Sequence, residues 1–190
     1  MRQSANGDPK LHTVLIGDPL AMWEKLSWDV DQFDDVQRSY PTERQPLAYA
    51  ALNACLAASS LADWVDKCYR VGAIKKATTA DAFRRQIYAN IENQELCEAI
   101  ANTCKHGAYR APGKVEMLWH DSDEDVPGGF RLYHSSPGTA NTVLSLELFR
   151  GLLADWWSFL VALGLAQGPR PTPEWEQNKL HRIFGGRLSG

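Results

Sequence analysis

Residues 47–70 read LAYAALNACLAASSLADWVDKCYR. The run contains no Gly or Pro, and Leu52, Leu56, Leu61, Trp64 and Val65 recur among alanines at intervals suited to a long helix. A surface so rich in small side chains lets neighbouring helices approach closely. It predicts the central helix of a bundle, ended by Gly72.

Working outward, Asp18-Pro19 has the chemistry of a helix start, with a capping carboxylate followed by a proline suited to the first turn. Leu20, Trp23, Leu26, Val30 and Phe33 then mark one apolar face of a helix to about residue 38. Asp29, Asp31, Asp34 and Asp35 are expected on its solvated face. Residues 39–46, with two prolines, predict a break. On the C-terminal side, Thr78-Thr79-Ala80-Asp81 predicts a second cap, opening helices over about 81–90 and 92–105, with Gly107 as the stop. The pattern changes at KVEMLWH (114–120) and FRLYH (130–134), which read as two strands joined by an acidic loop closed by Pro127-Gly128-Gly129. Residues 140–145 are a candidate third strand. An apolar, tryptophan-bearing helix follows over 146–165, then a proline-rich linker and a short helix over 174–184.

The fold class expected is mainly α: a four-to-five-helix bundle with a small antiparallel β-hairpin inserted before the last long helix. Residues 1–17 form an N-terminal arm, 18–166 the bundle with its hairpin at about 114–134, and 167–190 a C-terminal tail.

The chain has 190 residues, 44% hydrophobic and 23% charged, and a net charge of −3. Those values fit one globular domain and disfavour binding to a polyanion through bulk charge, leaving room for a local basic patch such as KLHRIFGGR (179–187). The apolar run 152–166 is interrupted by Asp155 and is too short to span a bilayer. No membrane partner is expected, and a cytoplasmic location is. Cys55, Cys68, Cys97 and Cys104 lack zinc-site spacing and are expected as reduced thiols in the helical core. Phosphate-loop and nucleophile-elbow motifs are absent. His120 and His134, at the ends of the two strands, could lie close across the hairpin and, with Asp121, Asp123, Glu124 and Asp125 beside them, form a metal site, but a solvated acidic loop with no metal is expected. The seven tryptophans are expected mostly in the core, and any exposed one would mark a contact surface.

Two polar stripes stand out. Asn53, Ser60, Asp63 and Lys67 share one face of the central helix, and Glu95, Glu98, Asn102, Lys105 and His106 share one face of the helix ending at Gly107. If the stripes meet, Asp63 could pair with Lys105 or His106, and an imidazole oriented by a carboxylate can pass protons.

NACLAASSLADWV (53–65) and IANTCKH (100–106), flanked by the acidic helix and by the hairpin with its Trp-rich helix, resemble the HEPN superfamily of helical bundles, in the form of small bacterial and phage proteins. In layout the likeness spans about residues 18–165, and at residue level only the two stretches. The resemblance implies a homodimer with its site at a helix–helix interface, RNA as the molecule bound or cleaved, and a toxin or phage-defence setting. It implies a metal-independent endoribonuclease with no cofactor. His106 would be the proton-transfer residue, Asp63 its orienter, and Asn102 and Lys105 the phosphate contacts. The family's Arg, separated from the His by four to six intervening residues, would fall where this chain has Ala99, Ile100 and Ala101. Lys105, Arg84, Arg85 and Arg110 are the candidate substitutes for that cation. The alternative is a non-catalytic protein-interaction module with a cognate protein partner, whose polar network only fixes the fold. A third reading, a small-molecule binder, would require an apolar pocket lined by tryptophans.

Overall fold

The computed structural model describes residues 8–74, 79–108, 114–121, 129–136 and 139–185. Its elements run α1 (Lys10–Thr13), α2 (Pro19–Ser39), α3 (Arg44–Arg70), α4 (Ala80–Asn90), α5 (Gln94–His106), β1 (Lys114–His120), β2 (Gly129–Ser136), β3 (Thr139–Leu144), α6 (Ser145–Ala162) and α7 (Glu174–Phe184). The mainly helical class with an antiparallel insert is as expected. The insert extends beyond a hairpin, because β3 pairs antiparallel with β2 to make a sheet of order β1-β2-β3.

Local chemistry explains the helix ends. The Asp18 carboxylate accepts a hydrogen bond from the Ala21 N–H at 2.9 Å, and Thr79 Oγ1 accepts one from the Ala82 N–H at 3.2 Å. Gly107 ends α5 at φ +63°, a conformation that glycine adopts without a Cβ penalty. The helix α3 begins three residues before the expected start. Pro46 falls in its first turn, where a backbone N–H has no partner within the helix and its loss costs nothing. The helix α6 stops before the expected residue 165, where the chain turns through Gly164 at φ +73°.

The core forms around α3. Ala50, Ala51, Ala54, Ala57, Ala58 and Ala62 are all buried, and α2 and α5 pack on either side of the helix. The helix α6 closes on α2 with Phe149 edge-on to Phe33, ring centroids 5.3 Å apart, and Trp157 against Trp23 at 4.9 Å. Tyr69 of α3 stacks on Phe83 of α4 at 4.3 Å. The sheet covers one side through Phe130, with Trp119 edge-on to it and the Arg44 guanidinium over the Trp119 ring.

The most deeply buried polar side chain among the described residues lies inside this core. Gln94 has no exposed surface. Its Nε2 donates to the Ala58 carbonyl at 3.1 Å, and its Oε1 accepts from Trp156 Nε1 at 2.9 Å, so three helices are bridged by one amide. Cys55 and Cys97 are buried with their thiols in contact. That contact and burial hold the Cys55 thiol well above its ordinary range. Cys104, expected in the core, is exposed instead, because the last turn of α5 extends past the packed layer.

The acidic run of α2 departs from the expected solvated face. Asp29 is buried and paired with Lys25. Asp34 meets Arg38 at 2.8 Å and Arg150 of α6 at 3.5 Å. Asp31 and Asp35 together receive Lys179 of α7, at 2.8 and 2.6 Å. The C-terminal helix is thereby docked on α2, and Trp175 sits edge-on to Trp28 with centroids 5.0 Å apart. The linker into α7 is also tied down, since Trp157 Nε1 donates to the Gly168 carbonyl at 3.1 Å.

The two strand histidines do not approach one another. His120 is paired with Gly129 and His134 with Val115, which places them toward opposite ends of the hairpin, about 17 Å apart at the usual rise per residue. Asp123, Glu124 and Asp125 lie outside the described residues. Among the described residues no cluster of metal-ligating side chains forms, and no helix is long and apolar enough to cross a membrane.

Replacing Gln94 by Met should leave the Trp156 N–H buried without an acceptor, and should lower stability by about 1–3 kcal/mol. Urea unfolding with an unchanged midpoint would show that the bridge contributes nothing. Burial raises the Asp29 pKa above the ordinary 3.8 despite the hydrogen bond and charge of Lys25. The folded protein then keeps this proton to higher pH than the unfolded chain, so Asp29 costs stability as the pH rises through its folded pKa. Asp29→Asn should therefore gain more, relative to wild type, at about pH 7 than at about pH 4. A pH-independent difference between the two melting curves would contradict this sign.

Candidate functional site

The helices α3 and α5 run antiparallel. Gln94 lies beside Ala58 while Cys97, one turn further along α5, meets Cys55, one turn back along α3. This register decides what the two polar stripes can do. Asp63 lies toward the C-terminal side of the Ala58 level, whereas His106 ends α5 in the opposite direction. At the rise of an α-helix they are about 25 Å apart along the axes. Within one chain, Asp63 does not orient His106.

The Asp63 carboxylate instead accepts from Arg84 Nη1 at 3.3 Å. Arg84 is the centre of the site. Its Nη2 donates to Glu98 Oε2 at 2.6 Å, and its Nε to Tyr88 Oη at 3.2 Å. The Tyr88 hydroxyl in turn donates to the same Glu98 oxygen at 3.0 Å. The stripes thus meet at one point, Asp63 and Glu98, and a third helix supplies the cation between them. Local sequence explains this placement. Arg84 and Tyr88 are one helical turn apart on α4, and the Thr79 cap and Phe83 packing on Tyr69 fix which way that helix faces.

Electrostatics follow from partial burial. Burial opposes the Arg84 charge, but the bonds to Glu98 and Tyr88 outweigh it and raise its pKa above the ordinary value. Tyr88 is raised as well, first by burial. Arg84 is therefore a fixed cation with its donors engaged, and Tyr88 stays protonated at neutral pH. Such an arrangement clamps helices well and is poorly placed to exchange protons with a substrate. Asp63 is its outermost member, with 65% of its side chain exposed against 18% for Glu98.

The other residues singled out in the sequence lie elsewhere. Asn102, Lys105 and His106 are exposed in the last two turns of α5, and His106 has no carboxylate partner among the described residues. Lys67 reaches over the Trp64 ring at 5.2 Å, and Ser60 bonds back to the Leu56 carbonyl at 2.8 Å. Of the candidate substitute cations, Arg84 is committed to the clamp, Arg85 is exposed, and Arg110 lies outside the described residues. Tyr88 was not anticipated as part of the site. The available signal was its spacing from Arg84, which only a register for α4 against α5 could have turned into a contact.

Compared with known proteins, the chain matches no family model, no curated protein and no solved structure.

Glu98→Ala should strip Arg84 of its shortest bond and free the Tyr88 hydroxyl, lowering stability by about 1–3 kcal/mol. Asp63→Ala, at the exposed rim, should cost about 0.5 kcal/mol or less. Denaturant melts of the two variants check the ranking, and equal losses would contradict it.

Proposed function

We propose that this chain is a non-catalytic protein-interaction module, a helical bundle whose interhelical polar network sets the geometry of the surface it presents. The observation that carries this reading is the Arg84 clamp. It consumes Asp63, the carboxylate a catalytic His106 would need, and leaves the imidazole in solvent at the far end of α5. An interaction module also needs an apolar anchor outside its core. Leu11, Val14 and Leu15, in and just after α1, are 76–79% exposed while Ile16 packs onto the core and holds the segment to the body.

A second reading rests on a separate observation. Asn102, Lys105 and His106 stand together at the exposed end of α5, where two copies of the chain could place them face to face. In that arrangement a HEPN-like homodimer would bind or cleave RNA, with the orienting group supplied by the other copy.

The two readings diverge in one experiment. Purified wild type and His106→Ala, incubated with total RNA in the presence of a metal chelator and expressed in cells for growth, should leave RNA intact and growth unchanged alike. RNA fragmentation by the wild type that His106→Ala abolishes, with both proteins equally stable, would reject the non-catalytic reading in favour of the nuclease.

A further inference from the structure

Between α2 and α7 lies a cleft of about 440 Å³, within the size range of small-ligand sites. Trp28 and Trp175 form its apolar walls, and Gln32, Asn178, His181 and Arg182 bring polar groups to it, together with Lys179. Three features stand out. Trp28 is 42% exposed, though it packs in a T-shaped contact with Trp175, so a large aromatic surface is held in place and left open. The Trp175 indole N–H is buried and has no acceptor among the described residues. The lining contains no carboxylate. The nearby Asp31 and Asp35 are already bound to Lys179, whereas Arg182 is exposed and has no ion-pair partner among the described residues.

Rigid aromatic surface beside an unpaired guanidinium suits a ligand that is flat at one end and anionic at the other. Indole faces stack on bases. Primary amides match the donor–acceptor edge of a base, and a guanidinium takes a phosphate through paired donors. We propose that the α2–α7 cleft binds a nucleoside phosphate, with its base on the Trp28 indole, the Gln32 and Asn178 amides at the base edge, and its phosphate on Arg182. This goes beyond the interaction-module reading and does not depend on it, since no residue of the cleft belongs to the Arg84 clamp or to α1. The ligand chemistry is shared by a free nucleotide and by a nucleotide unit of a single strand.

The test is titration of the full-length protein with adenosine 5′-monophosphate, followed by tryptophan fluorescence and calorimetry. Adenosine and ribose 5-phosphate serve as the two half-ligands, and an eight-nucleotide single-stranded RNA as the polymeric form. The nucleotide should bind with one-to-one stoichiometry and about tenfold or more tighter than either half. Arg182→Gln, on an exposed position, should remove its advantage over adenosine. Trp28→Ala should weaken both by about tenfold, and Trp28→Phe should keep the fold and recover part of the affinity. Tighter binding of the oligonucleotide, lost in the same variants, would identify a strand as the occupant, and binding of the mononucleotide alone a free nucleotide. Either result supports the site. No saturable binding of any of these up to about 1 mM would overturn the proposal. So would affinities unchanged in Arg182→Gln and Trp28→Ala.

Discussion

Everything in this molecule depends on how closely other helices can approach α3. A helix packed on several sides cannot carry large side chains all round, because neighbouring axes must come within about 8–10 Å. Alanine meets that constraint at the buried positions from Ala50 to Ala62, and Leu47, Leu61 and Val65 fill the wider gaps. Close approach has a second consequence. A helix backbone that is normally screened by side chains becomes reachable, and Gln94 uses this to hydrogen-bond the Ala58 carbonyl from a neighbouring helix. The buried amide fixes α5 lengthwise against α3, which apolar contacts among small side chains alone would allow to slide.

That lengthwise register is what separates the two candidate roles of the polar stripes. With Gln94 at the level of Ala58 and Cys97 at the level of Cys55, Glu98 is left within reach of an arginine that also touches Asp63, and His106 is carried away from both. A carboxylate and a histidine that look like a dyad in sequence become a helix clamp and a solvent-exposed ring. The difference is one of direction along a helix pair, and no property of either residue by itself would reveal it.

Much of the architecture was legible because local physics dominates it. Asp18, Thr79 and Gly107 are caps that act within a few residues, and the strand over 114–120 and the helix over 174–184 carry their own periodicity. What the sequence did not disclose depends on pairing between distant segments. The acidic run of α2 resembles any solvated face until α7 arrives with Lys179 and α6 with Arg150. The likeness in sequence between Asp63 and a catalytic orienter persists until Arg84 is placed beside it. The separation of His120 from His134 follows from hairpin register, which a long loop leaves free.

The docking of α7 shows how charge and apolar surface divide the work. Asp31 and Asp35 lie one turn apart on α2 and would repel each other. A single ammonium between them relieves that repulsion and is itself held charged, since the two carboxylates outweigh the cost of its partial burial. A partly exposed ion-pair network of this kind adds modest stability alone. Its value is positional, because it fixes α7 at one height on α2 and so sets Trp175 and Trp28 in their T-shaped contact. The cleft between the two helices is a consequence of that fixed height. Because the lysine is consumed in docking, the guanidinium of Arg182, one turn further on, is left to face outward with its charge uncompensated.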